Sequence, residues 1–242
     1  SYFARYTVKR GADEMKTQPL DERTAKRLFI VFIFALIFGG LLFRSFTLTL
    51  PAYLEQRLGD IGNRVQQWMG TDGAEDPTGA LKTLAANIIA TFIYVIAIIG
   101  QWVGGRAADR YSLKHAYFVF FVLALPFLAG LVLLDGWLMV PAAGIFVFFI
   151  LGMQPVENSL VAYLTPAKWR SSGFGLKFAF GFGAGSFAVK IVSILERSYG
   201  LEGVMATNFI YLFGVLVFAG ILITMSRGVS IRHAAETASG TA

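Results

Sequence analysis

Six times along this chain, a run of about twenty mostly apolar residues gives way to a short polar break. The runs cover about Leu28 to Leu50, Leu81 to Gly104, Ala116 to Leu134, Leu138 to Tyr163, Ser172 to Leu195 and Val204 to Met225. A helix needs about 20 such residues to cross ~30 Å of hydrocarbon. No water in that layer can satisfy stray N–H and C=O groups, so each run must pair its own backbone and reads as a helix. The runs are continuous rather than alternating, which argues against a β-barrel. The expected fold class is an all-α polytopic membrane protein with six transmembrane helices.

Charge placement agrees. Charged residues make up only 15% of the chain against 56% apolar, and they gather between the runs. An ordinary soluble domain carries roughly 25% charged residues. Of the Lys and Arg residues, 14 fall on the side holding both termini and the second and fourth loops; 4 (Arg57, Arg64, Lys82 and Arg197) fall on the other. Cytoplasmic segments carry that excess, so both termini are expected inside. The net charge of +6 therefore points to a membrane surface and not to nucleic acid. Residues 1–27 read as a basic linker or tail, 28–226 as the membrane domain and 227–242 as a second tail. The first outer loop, Pro51 to Ala80, spaces Tyr53, Leu54, Leu58, Ile61, Val65, Trp68 and Met69 as a surface amphipathic helix would. Residues 71–79 follow as a turn-rich connector.

Enzymatic classes find little purchase. Cysteine is absent, and His115 and His233 both lie at expected membrane edges, so no metal or cofactor site is expected. No span holds a histidine beside a serine, and neither zincin spacing nor a phosphate-binding Gly-Lys-Ser/Thr loop occurs.

Between the second and third runs stands Gly105-Arg106-Ala107-Ala108-Asp109-Arg110-Tyr111-Ser112-Leu113-Lys114-His115. Physically, Gly105 would let a helix end approach its neighbour, Asp109 could meet a helix N-terminus, and Arg110 and Lys114 suit headgroups. The stretch resembles the signature loop of the major facilitator superfamily, Gly-x-Leu-Ala-Asp-Arg-x-Gly-Arg-Lys. It departs at Ala107, Ser112 and Leu113. Gln154 to Ala162, Thr165-Pro166 and Gly173 to Phe178 are similar to the tenth-to-eleventh helix region of bacterial members. The resemblance implies the C-terminal six-helix half of such a transporter, in a bacterial cytoplasmic membrane. It further implies that Gly105, Asp109, Arg110 and Lys114 form a gating loop latching one access state. A second six-helix half, in the same longer chain or another subunit, is then expected; the chain's start at Ser1 and not Met fits a later part of something longer.

Ionisable groups inside spans are expensive and mark function or pairing. Glu157 and Lys177 lie at similar depth from the cytoplasmic face on helices joined by a short loop, so they are expected to pair. Arg44 and Lys190, in the outer halves of their spans, are candidate contacts for an anionic substrate or snorkelling bases. Asn87 and Tyr94, seven apart on one face, are candidate substrate contacts or satisfied core groups. Gly181 and Gly185 form a small-xxx-small packing face. Pro126, Pro141 and Pro155 are candidate bends. The reading is secondary transport of a small solute by alternating access. The alternative is a non-transporting, transporter-derived scaffold or accessory subunit of a larger membrane complex, in contact with other membrane subunits.

Overall fold

A computed structural model of the chain describes residues 21–59, 64, 67 and 80–227. Among these the regular structure is helical: α1 (Glu22–Arg57), α2 (Ala80–Arg110), α3 (Leu113–Leu133), α4 (Met139–Gly152), α5 (Gln154–Leu164) and α6 (Arg170–Met225). Single turns of 3-10 helix at Gly136–Leu138 and Ala167–Trp169 lead into α4 and α6. Counting α4 and α5 as one rod, five elements are long and apolar enough to cross a membrane. The chain is thus compatible with a helical membrane protein.

Three boundaries differ from the sequence reading, each for a local reason. α1 runs past Leu50 to Arg57 and carries Pro51 inside it. Tyr53, Leu54 and Leu58 are fully or almost fully buried, so they extend the first rod and do not start a surface helix. The remainder of that expected helix, Ile61, Val65, Trp68 and Met69, and the 71–79 connector lie outside the described residues, as do residues 1–20 and 228–242. The fourth run is divided at Met153, just before Pro155, whose missing N–H suits it to the first turn of a new helix. Pro141 likewise sits in the first turn of α4, where no helical bond is lost; of the three expected bends, Pro126 lies in a helix interior, as Pro51 does in α1.

The fifth and sixth runs form one 56-residue element, interrupted only at Gly200 (φ 67°, ψ −176°). That left-handed φ is cheap for glycine alone. Neighbours along α1 show what the interruption does. Gly40 lies on Gly181 and Arg44 on Gly185, so the first segment of α6 runs parallel to α1. Thr49 meets Met205, Phe38 meets Gly214 and Phe34 stacks on Phe218, so the second segment runs antiparallel. The chain therefore doubles back at one residue.

α2 and α4 run side by side in parallel, with Ile96 against Gly144, Gly100 against Phe148 and Gly104 against Gly152. α3 runs antiparallel to the second segment of α6, with Phe118 near Gly220 and Lys114 at Ser226. Between the rods lies an aromatic core in which Phe46 meets Phe146 at 4.8 Å and Phe32 meets Tyr117 at 5.4 Å between ring centroids. Phe92, Ile98, Phe182 and Phe187 point outward and are at least two-thirds exposed, as expected of surfaces that face lipid or another apolar body.

Candidate functional site

The break at Met153 places Glu157 in the first turn of α5, where the positive end of the helix dipole favours a carboxylate. Seven residues remain before α5 ends at Leu164, which sets Glu157 roughly 10 Å below that end at ~1.5 Å per residue. Lys177 enters from the first segment of α6, and its Nζ stands 2.7 Å from Glu157 Oε1. Lys177 Nζ also donates a hydrogen bond to Asn158 Oδ1. Both charged side chains are about nine-tenths buried. Burial would heavily disfavour either charge alone, so each depends on the other.

The pair borders a cavity of about 140 Å³ between α1, α3, α5 and the first segment of α6. Gln154, Glu157 and Lys177 give it polar corners, and Phe43, Phe121, Phe178 and Phe182 are among its apolar walls. Gly39 and Gly181 open it further, because a Cβ on either would meet nothing within 4 Å. Phe178 and Phe182 stack on each other at 5.7 Å with an interplanar angle of 9°. Just behind, Tyr117 on α3 packs edge-on against Phe121 at 5.1 Å. Among the described residues its buried hydroxyl has no hydrogen-bond partner.

The other expected site residues do not converge here. Arg44 and Lys190 are exposed, and the stem of Arg44 covers Gly185. Asn87 is exposed and donates to Thr83 O at 2.8 Å, a bond within its own helix. Tyr94 is half-buried, with a hydroxyl that finds no partner. The small-residue face is real but shifted: the close backbone contact is at Gly40, where a Cβ would stand 2.3 Å from Gly181 O, while Gly181 itself faces open space.

The expected gating loop divides in the same way. Gly105 has nothing within 4 Å of an added Cβ; the close approach belongs to Gly104, where a Cβ would stand 1.6 Å from Gly152 O. Asp109 and Arg110 are exposed in the last turn of α2. Lys114, expected among headgroups, is buried and donates to Ser226 O at 2.6 Å, tying the start of α3 to the C-terminus of α6. Arg106 packs its guanidinium 3.5 Å from the Trp102 ring centroid.

Sequence reasoning missed two groups. Asn158 was visible only as a polar neighbour of Glu157. Arg57 binds the far ends of three elements: Val132 O and Leu134 O at 3.2 Å each, Asp135 at 2.9 Å and Glu202 at 3.0 Å. Its place at an expected loop gave no sign of that reach. Among the described residues, no group of three or more His, Asp or Glu side chains could hold a metal ion. Compared with known proteins, the chain matches no family model and no curated protein sequence.

Proposed function

We propose that the chain is one six-helix half of a secondary transporter that moves a small solute by alternating access, of the kind its loop at 105–115 resembles. The six crossings of this reading count α4 with α5 as one and the two antiparallel segments of α6 as two. The observation that carries it is the Glu157–Lys177–Asn158 cluster beside an accessible cavity. A purely structural ion pair has no need of adjoining space, and transporters place substrate groups among buried polar side chains of discontinuous helices. The break before Pro155 provides such a discontinuity.

The test begins with the intact mass of the native polypeptide and a record of what co-purifies. A native mass near twice 26.5 kDa, or a stoichiometric second half, is expected. Vesicles holding that assembly should then lose solute flux on Glu157→Gln while the protein still inserts. A native chain of this size whose Glu157→Gln form loses partner assembly instead would replace the transporter with a scaffold.

A further inference from the structure

The Glu157–Lys177 pair is incompletely used, and its spare capacity faces the cavity wall. An ammonium has three donors. Lys177 gives one to Glu157 and one to Asn158, and among the described residues its remaining contact is with the Phe178 ring, 5.7 Å from the centroid. A carboxylate has room for about four donors across its two oxygens. Glu157 receives Lys177 on one oxygen, while among the described residues the buried Tyr117 hydroxyl of α3 has no hydrogen-bond partner. Hydroxyls that are buried and unpaired cost about 1–3 kcal/mol, so an idle one calls for an explanation. One donor thus engages the carboxylate, and a second hydroxyl, on α3, stands idle.

The cavity beside them has both a size and a chemistry. Apolar cavities of about 150 Å³ accept a benzene ring, and this one measures about 140 Å³. Phe43, Phe121, Phe178 and Phe182 give it aromatic walls suited to edge and face contact with a ring. The strongest unspent interaction at its polar end is the donor capacity of Lys177.

From this we infer that the site takes a small aromatic monocarboxylate, which replaces Glu157 on Lys177 while Glu157 turns to the Tyr117 hydroxyl. This inference rests on the transport reading for its purpose and on the geometry alone for its chemistry. The charge balance is explicit. The ligand brings one negative charge, which Lys177 neutralises in place of Glu157. The displaced carboxylate would be a lone buried charge, so it takes one proton from solvent. Protonated Glu157 then accepts from the Tyr117 O–H through its carbonyl oxygen. Among the described residues, the titratable groups linked to it are Lys177 from α6, in contact, and Tyr117 from α3.

Calorimetric titration of the purified protein in detergent tests this with benzoate, benzyl alcohol and benzamidine. Benzoate should bind with uptake of about one proton, at least about tenfold more tightly than the other two. Glu157→Gln frees Lys177 in advance, so it should bind benzoate about tenfold more tightly again, without proton uptake. Tyr117→Phe should weaken benzoate several-fold in the otherwise unaltered protein. The double variant Glu157→Gln/Lys177→Met leaves no unpaired charge to threaten folding and should bind benzoate no better than benzyl alcohol. Equal binding of benzoate and benzyl alcohol by the unaltered protein overturns the inference, as does weaker benzoate binding by Glu157→Gln. Vesicle flux separates the two readings: carboxylate-selective binding without flux keeps this site and removes the transporter, while flux of solutes with no carboxylate preference does the reverse.

Discussion

Two helix seams in this molecule are built from glycine, and only one of them also uses it to leave space. Along α2 and α4, Gly100, Gly104 and Gly152 bring backbones so close that added Cβ atoms would stand 1.6–2.8 Å from neighbouring backbone atoms. Along α1 and the first segment of α6, one such close contact occurs, at Gly40 against Gly181 O, but Gly39 and Gly181 beside it face open space. The first seam is held by shape, since lipid offers helices no hydrophobic drive to associate and close packing must supply it. The second leaves a void and sets an ion pair at its edge. Glycine in a membrane helix therefore marks closeness or emptiness, and only the neighbour across the seam says which.

The sharpest way to break this contrast is to remove one charge. Glu157→Gln leaves Lys177 buried without its counter-ion, a loss of about 3 kcal/mol or more. The thermal midpoint in detergent should fall accordingly, and adding Lys177→Met should recover most of it. If the single variant melts normally, the cavity end is wetter than its burial implies. Next comes Gly104→Ala, whose Cβ overlaps the Gly152 carbonyl. Over-packing of that kind costs about 1–3 kcal/mol. Gly181→Ala is the matched control and should leave the midpoint unchanged, because its Cβ has room. A comparable loss from both alanines would show the seams to be alike.

Smaller effects are expected where the ends are tied. Lys114→Met removes the bond to Ser226 O and should lower stability by about 1–2 kcal/mol. Hydrogen exchange at the end of α6 should rise with it. Arg57→Ala breaks a clamp whose acidic partners are largely exposed, so the loss is set at about 1 kcal/mol. Arg44→Gln and Lys190→Gln should leave the melting curve where it was, since both side chains are exposed and unpaired among the described residues.

What could be read in advance followed from patterns confined to one segment. Apolar runs of the right length gave the rods, and charges in apolar surroundings singled out Glu157 and Lys177, together with Arg44 and Lys190. Properties that depend on how one helix is rotated against another were out of reach. Gly104 and Gly105 are adjacent and chemically identical, yet one touches Gly152 and the other touches nothing. Lys114 was assigned to headgroups by its charge, but α3 turns it inward to a helix end 112 residues away. The reversal at Gly200 left a polar interval in the sequence, Glu196 to Gly203, and gave no hint that one residue makes the turn.

That single-residue turn makes α6 a linkage with no slack. A loop of five or six residues would absorb a small slide of one segment by flexing. Here a displacement of the segment carrying Lys177 has to pass through Gly200 into its partner. The partner cannot simply follow, because its other end is fastened to α3 through Ser226 and Lys114. A push along one rod must therefore emerge as a tilt of the pair about the glycine. The ion pair and cavity thus sit on one arm of a hinge, held to α5 by Lys177, while the opposite arm is fastened to α3.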